Sequence, residues 1–136
     1  LSAAAAALLL DSLPRLPRLR GVAQLDADAS SCQKIAKADG KVHFGDAVQI
    51  VRKIRAYALF PDVFLESGLK LKSARVVESH GAHRSGEILE VAKDGVVVGC
   101  TRGALLVQSV QPPSKNAMSA VAYLNGKRLR CGDCFF

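Results

Sequence analysis

The sequence predicts a mainly β protein, a small antiparallel Greek-key β-barrel with a helix before it and a helical arm at the N-terminus. Three observations predict this class. The spacing of apolar residues changes from 3.6 in residues 47–57 to two afterwards. About five short strands then follow with little room for crossover helices, which favours an antiparallel sheet that is closed or nearly closed. The composition is 49% apolar without Trp, so the core should consist mainly of Val, Leu, Ile and Ala.

The sequence pattern of the N-terminal third of the chain indicates a helical arm followed by a linker. Ser2 is a candidate N-cap for a helix over Ala3–Leu13, which Pro14 ends. The three consecutive leucines of this helix have no nearby apolar partner, so we expect them to pack on a domain outside this sequence. Residues 14–25 contain two prolines without a helical period, and residues 26–46 are polar, which favours an extended connector. The chain begins with Leu1, and we expect it to be a fragment of a longer protein.

The remainder of the chain provides the barrel and the helix before it. Apolar residues at helical spacing follow a capping Asp, strict alternation marks the first strand, and a Lys-Asp-Gly hairpin signal separates the next two. The predicted elements are a helix over Ala47–Tyr57 capped by Asp46, strands at Leu69–Lys72, Glu87–Ala92, Val96–Thr101 and Ala104–Gln111, a helix over Ala120–Leu124 capped by Ser119, and an extended, basic segment at the end of the chain. We therefore divide the chain into an arm and linker, 1–46, and a barrel domain, 47–136.

The positive charge of the chain favours an anionic partner, either nucleic acid or membrane headgroups. The net charge is +7, and residues 47–136 contribute +6 of it through 13 basic and 7 acidic side chains. Lys70 and Lys72 share one strand face, and Lys127, Arg128 and Arg130 form a cluster that could follow a phosphate backbone. A solvated surface is the alternative interpretation. The longest apolar run is too short to span a membrane.

Two cysteines and two histidines have a spacing that suggests a zinc site, but their positions in the chain do not favour one. The four cysteines occur without a signal peptide or a tight framework, so we expect them to be reduced and intracellular. Cys131 and Cys134 have zinc-knuckle spacing, and His80 with His83 could complete a tetrahedral site, but one pair lies at the chain end and the other in a predicted loop. We predict no metal. The sequence also has no nucleophile elbow, catalytic triad or Gly-rich phosphate loop, so we predict no catalytic residue in this chain.

Several short motifs in order resemble the C-terminal domain and interdomain linker of the methionyl-tRNA formyltransferase family. The motifs are Leu8–Pro14, Lys34–Gly40, Ile54-Arg55-Ala56-Tyr57, Ser85–Leu89, Val110–Ala120, Tyr123–Gly126 and Leu129–Asp133. Together they cover nearly the whole chain, which is far more specific than any one of them. Two positions depart from the family pattern. Ala58-Leu59-Phe60-Pro61 stands where the family has Asn-Pro-Trp-Pro or similar, and Cys131 replaces a frequent proline.

The resemblance implies an OB-like barrel and a parent enzyme that transfers a formyl group from 10-formyltetrahydrofolate to the amino group of methionyl-tRNA in translation initiation. It places the catalytic residues in a preceding N-terminal domain, so this fragment would bind no cofactor itself. Its partners would be methionyl-tRNA and that catalytic domain, with no membrane, and we expect a monomer. The tRNA-binding residues implied by position and charge are Lys34, Lys37, Lys41, Arg52, Arg55, Lys127, Arg128 and Arg130.

Two alternatives stay open at this point. The barrel could belong to another formyltetrahydrofolate-dependent formyltransferase or hydrolase, or it could be a non-catalytic docking module. The expected location is intracellular, either the bacterial cytoplasm or the mitochondrial matrix.

Overall fold

In the computed structural model, which describes residues 1–79 and 82–136, the chain divides after Gln33 into two units. The first unit, Leu1–Gln33, contains helix α1 (Ser2–Ser12), a 3₁₀ helix over Leu13–Arg18 and a 3₁₀ turn over Asp26–Asp28. None of its residues is buried. Its leucines at positions 8–10 are exposed, as expected for side chains without a partner in this unit.

Two predictions for this unit are wrong. Ser2 is not the N-cap of α1, because the helix already includes it and Leu1, which has no side-chain acceptor, occupies the cap position. The connector is not extended from its start, because the chain continues as a 3₁₀ helix through Arg18 and becomes extended only at Leu19. Proline fixes φ at a value that a 3₁₀ turn accepts, and Pro14 lies in the first turn, where no backbone donor is required.

The second unit, Lys34–Phe136, contains the sheet. Its elements are a 3₁₀ helix over Lys37–Gly40, α2 (Ala47–Ala56), β1 (Lys70–Val77), β2 (Ile88–Ala92), β3 (Gly95–Gly99), β4 (Ala104–Gln111), β5 (Met118–Ser119) and α3 (Ala120–Lys127). All strand pairs are antiparallel, in the order β1-β4-β3-β2, and β5 pairs with β4. Strands β2, β3 and β4 are consecutive neighbours while β1 lies beside β4, which is a Greek-key order. The predicted antiparallel β class with a helix before it is confirmed, although the sheet is not closed into a barrel by these pairings.

Local signals set the boundaries of most elements. Asp46 caps α2, since its Oδ1 accepts from the backbone N–H groups of Val48 at 2.9 Å and Gln49 at 3.1 Å. Ser119 caps α3 through its Oγ, which accepts from the N–H of Ala122 at 3.1 Å. Helix α3 continues beyond its predicted end, because Arg128 adopts the left-handed conformation that terminates helices and that glycine more often supplies.

The hydrophobic core lies between the sheet, α2, α3 and the C-terminal residues. Branched aliphatic residues dominate it, as predicted, and among them Val96, Val98 and Val107 are fully buried. Two aromatic residues join the core unexpectedly: Phe44 comes from the predicted linker, Phe135 comes from the C-terminus, and their rings meet edge to face with centroids 6.3 Å apart. The predicted domain boundary at residue 46 therefore falls after side chains that are already packed. As a statement about domains that boundary stays a prediction.

Candidate nucleic-acid interface

Ion pairs separate the basic side chains of the second unit into two classes. Lys70 and Lys72 both bind the carboxylate of Asp62, at 2.9 and 2.6 Å, and Arg102 binds Asp46 at 2.7 Å. Burial alone would raise the pKa of Asp62, but the hydrogen bonds from Lys72 and Lys70 outweigh it and hold the pKa below its usual value. Asp62 thus offsets one of the two positive charges of Lys70 and Lys72, a pair that the sequence predicted for phosphate contact, and it holds both ammonium groups within the fold.

Helix α2 presents Arg52 and Arg55 to solvent. Ile50 and Ile54 bury the opposite side of the helix, so the helical repeat of 3.6 residues places the two arginines on the exposed side. Among the described residues, no carboxylate lies within 4.0 Å of either guanidinium. Both side chains therefore keep their charge available for an external anion.

A cavity of about 420 Å³ lies beside the N-terminus of α2 and collects basic side chains from three segments. Lys41 and His43 come from the segment before the helix, Lys53 from the helix itself and Arg102 from the turn before β4. The Lys53 Nζ donates to the carbonyl oxygen of Asp39 at 3.0 Å, and Lys41 pairs with Glu66 at 2.8 Å. The hydrogen bond from Lys41 lowers the pKa of the Glu66 carboxyl.

Asp46 is the acidic residue of this cavity, and it is fully ionised at neutral pH. The backbone N–H of Gln49 has the largest effect and lowers the pKa of Asp46. Burial, the next largest, raises the pKa, but the Arg102 guanidinium, the N–H of Val48 and the charge of Arg52 lower it further, so the net shift is downward. The sequence did not identify Lys53 or Arg102 as site residues. Lys53 stands between two predicted arginines, which is a usable signal, but Arg102 reaches the cavity through a backbone bridge to Asp46 that links distant parts of the chain.

The end of α3 carries a cluster of three exposed cations. Lys127, Arg128 and Arg130 are all at least partly exposed, and within the described ranges none of them forms an ion pair. Lys127 borders a groove of about 480 Å³ between α3 and the loop that follows β4, together with Lys115. The sequence did not single out Lys115 as a site residue.

The linker lysines differ from one another. Lys34 and Lys37 are exposed and free of ion pairs to the described carboxylates, whereas Lys41 is paired with Glu66. The structure thus places the eight predicted residues in three groups, on the segment before α2, on α2 and at the end of α3. Of the eight, only Lys41 lines the cavity beside α2 and only Lys127 lines the groove beside α3.

The described side chains offer little for nucleophilic chemistry. Burial, aided by the charge of Asp46, raises the pKa of the Cys100 thiol to about 12, which leaves it protonated and inert. The Nε2 of His83 forms a hydrogen bond with the carbonyl oxygen of Cys100 at 3.0 Å. All four cysteines are free thiols.

The zinc arrangement considered from the sequence falls partly on a residue without a described position. His80 lies outside the described residues, so the prediction that His80, His83, Cys131 and Cys134 hold no metal stays a prediction. Within residues 1–79 and 82–136, no three His, Cys, Asp or Glu side chains are grouped as a metal site requires. Over the same residues, no helix combines the length and apolar character needed to cross a membrane.

Comparison with known proteins relates most of the chain to one family. Residues 34–128 match the family described as formyl transferase, C-terminal domain. The methionyl-tRNA formyltransferase of Nitratiruptor sp. is 56% identical over 115 residues, which are 85% of this chain and 38% of that protein. The methionyl-tRNA formyltransferase of Wolinella succinogenes is 47% identical over 132 residues, 97% of this chain and 43% of that protein. The chain thus spans about two fifths of the length of these curated relatives.

Solved structures share the fold at low sequence identity. A crystal structure of a HypX variant from Aquifex aeolicus superposes with a TM-score of 0.62 at 18% identity, covering 90% of this chain and 23% of that one. HypX from the same organism in complex with tetrahydrofolic acid gives a TM-score of 0.59 at 18% identity, covering 85% of this chain and 22% of that one. At this identity the likeness establishes the fold alone.

Proposed function

Because the chain belongs to the formyl transferase C-terminal domain family, we propose that it is the tRNA-binding C-terminal portion of a methionyl-tRNA formyltransferase. The parent enzyme transfers a formyl group from 10-formyltetrahydrofolate to the amino group of methionyl-tRNA in translation initiation, in the cytoplasm of a bacterium. The chemistry and the folate site belong to a catalytic domain outside this chain. The role of this portion is to increase affinity for tRNA and so to help bring the aminoacylated end to that domain.

One observation carries the proposal: the second unit holds exposed cations that the protein does not neutralise. Arg52 and Arg55 on α2, and Lys127, Arg128 and Arg130 at the end of α3, have no carboxylate of the described chain within 4.0 Å. Cations of this kind can displace counterions from an RNA backbone, and the release of those ions makes the binding strongly salt-dependent. Phosphate contacts fix position and register without reading sequence, which suits a domain that contributes affinity.

The test measures tRNA binding and its salt dependence after removal of the free cations. We expect the triple variant Lys127→Gln, Arg128→Asn, Arg130→Gln to bind fluorescently labelled tRNA more weakly, and Asn is chosen because it tolerates the left-handed backbone at position 128. Removing one cation that touches a phosphate lowers the slope of log affinity against log salt by roughly 0.7 to 0.9. The triple variant should therefore reduce the slope by about 2 to 3. Fluorescence anisotropy at several salt concentrations measures both quantities.

A charge-matched control comes from other exposed basic residues. Arg84 and Lys93 are exposed, are not paired with any described carboxylate and lie outside the proposed surfaces. The double variant Arg84→Gln, Lys93→Gln should preserve the slope, whereas Arg52→Gln, Arg55→Gln should lower it by the contribution of two phosphate contacts. Equal losses of affinity in both double variants would mean that net charge alone attracts tRNA, and unchanged binding by the triple variant would exclude the end of α3 as a tRNA surface.

The acceptor substrate needs a separate assay, because the shared fold occurs in HypX as well. We expect the full-length parent to formylate methionyl-tRNA with 10-formyltetrahydrofolate as donor and to leave amino-sugar acceptors unchanged. If the parent instead formylated an amino sugar, it would be a different formyltetrahydrofolate-dependent enzyme and the proposed substrate would be wrong. We also expect the parent to be monomeric, which sedimentation measures directly.

A further inference from the structure

The groove between α3 and the loop after β4 combines an apolar interior with a positively charged rim. Its volume is about 480 Å³, within the range of small-molecule pockets. Pro113, Met118 and Tyr123 supply apolar and aromatic surface, while Lys115 and Lys127 supply charge. No acidic residue of the described chain borders the groove. The other basic cavity, beside α2, differs because an acidic side chain lines it and offsets part of its charge.

The two lysines are positioned and unpaired. Turn hydrogen bonds hold the loop that carries Lys115, since its N–H donates to the carbonyl oxygen of Pro112 at 3.2 Å and its own carbonyl oxygen accepts from Gln111 Nε2 at 2.9 Å. Lys127 is the last residue of α3, so the helix sets the position of its backbone. No carboxylate in the described ranges lies within 4.0 Å of either ammonium group, so both groups are available to pair with the anionic part of a ligand.

The interior surface is suited to a flat, uncharged group. Tyr123 is half-buried and packs on Phe135, with ring centroids 5.7 Å apart, so its ring is held in place from the core side. Met118 is also half-buried, and its thioether is a polarisable contact for an aromatic ring. An apolar floor next to two cations matches a group that is aromatic at one end and anionic at the other.

We propose that this groove seats one unpaired nucleotide of the bound RNA, with the base against Tyr123 and Met118 and the phosphates beside Lys115 and Lys127. The inference rests on the proposed function for the RNA partner, and it adds a contact that electrostatic attraction alone does not provide. Stacking of a base needs a nucleotide that is not paired, because the bases of a duplex are covered by their neighbours. The groove therefore favours single-stranded over double-stranded RNA.

Gly126 allows the groove to be narrowed without removing any charge. Residues 122, 123, 126 and 127 of α3 all border the groove, so a side chain at 126 would project on the face shared with Ala122 one turn earlier. A Cβ added at Gly126 meets no other heavy atom within 4 Å. The variant Gly126→Leu should therefore fold, and replacing glycine within a helix removes a conformational penalty.

The experiment compares Gly126→Leu with Asn125→Leu in the full chain. Asn125 is exposed on the same helix but does not border the groove, so the same bulky side chain is placed elsewhere. The probes are a short labelled single-stranded oligoribonucleotide, the same sequence as a blunt duplex, and tRNA. We expect Gly126→Leu to weaken single-strand binding by about fivefold or more, the lower limit for loss of a stacked base. Duplex binding and the salt slope should stay unchanged, and Asn125→Leu should behave as the wild type.

Three outcomes separate this inference from the proposed function. If the wild type binds tRNA and Gly126→Leu binds the single strand equally well, the groove is not a nucleotide site and the tRNA proposal stands. If the wild type binds the oligonucleotide in the groove but ignores tRNA, the proposed partner is wrong and the nucleotide site stands. If the wild type binds neither RNA at low salt, both are overturned. Unfolding of Gly126→Leu at or above the wild-type midpoint confirms that weaker binding does not come from unfolding.

Discussion

Asp62 forms ion pairs with two lysines of β1, so these lysines are not free cations at the surface. It binds Lys70 and Lys72 together, and it does so from a backbone position with φ of +67°, which few side chains other than Asn and Asp adopt readily. The sequence shows the alternation that places the two lysines on one face, but not the loop residue that reaches them. The same charges that would suggest RNA contact in isolation are thus part of the folded protein's own stabilisation.

We predict that Asp62→Asn destabilises the fold by about 2 kcal/mol at neutral pH, the usual effect of hydrogen bonds to charged groups. Asn keeps the backbone conformation but removes the charge and replaces one of the two acceptor oxygens with an NH₂ donor, so one of the two lysine hydrogen bonds is lost as well. Because the folded-state pKa of Asp62 lies below its unfolded value of 3.8, its contribution is complete above that value and is lost as the pH falls through the folded-state pKa. Urea unfolding of both proteins across the acid range should show the stability difference shrinking. A difference that is independent of pH would mean that the charge of Asp62 is not its cause.

At the scale of single elements, the sequence predicted several features whose conformation depends on residues close by in the chain. The caps Asp46 and Ser119 are read from one residue and the spacing after it, and β4 matches its predicted limits, Ala104–Gln111. The exposed side of α2 follows from the helical repeat, so the exposure of Arg52 and Arg55 was predictable as well. In each case the physical cause lies within a few residues of its effect.

Features that depend on contacts with residues distant in the sequence could not be predicted in the same way. Phe44 belongs to a polar segment and is buried in a core to which Phe135, ninety-one positions later, also belongs. The two-residue strand β5 exists through its pairing with β4 and has too few residues to show a period. Arg102 enters the cavity beside α2 through its pair with Asp46. Much of the core and site that the sequence did not predict therefore depends on long-range contacts, whereas the cap of α1 and the 3₁₀ start of the connector are local features that were predicted wrongly.

The β2–β3 hairpin gives a prediction at this scale, because Gly95 is part of β3 rather than of the turn. Ala92 pairs with Gly95, and a Cβ at position 95 would stand 2.5 Å from the carbonyl oxygen of Val107 in the adjacent strand. Gly95→Ala should therefore force β3 and β4 apart and reduce stability by roughly 1 to 3 kcal/mol. Denaturant unfolding measures the change.

Gly126→Ala is the matched control, because its added Cβ meets no atom within 4 Å and the site is helical. That variant should be neutral or increase stability by roughly 0.5 to 1 kcal/mol. If Gly95→Ala proved as stable as the wild type, the close approach of β3 to Val107 would not constrain the sheet.

For the molecule as a whole, the net positive charge and the buried residues both lie after residue 33. Residues 1–33 contain three basic and three acidic side chains, so residues 34–136 hold the entire net charge of +7. The whole buried core also lies after residue 33, while the first unit exposes its leucines. Both the stability of the fold and the attraction to an anionic partner should therefore belong to the second unit.

We predict that a chain reduced to residues 34–136 keeps the unfolding midpoint of the full chain, because no buried side chain is removed. It should also keep the tRNA affinity and the salt slope, because the removed segment is neutral overall and electrostatic binding follows the cations that touch phosphate. Differential scanning calorimetry and anisotropy titrations on both lengths measure these quantities. A lower midpoint would show that residues 1–33 contribute to stability. Weaker binding at an unchanged midpoint would assign a phosphate contact to Arg15, Arg18 or Arg20, the basic residues that only the longer chain contains.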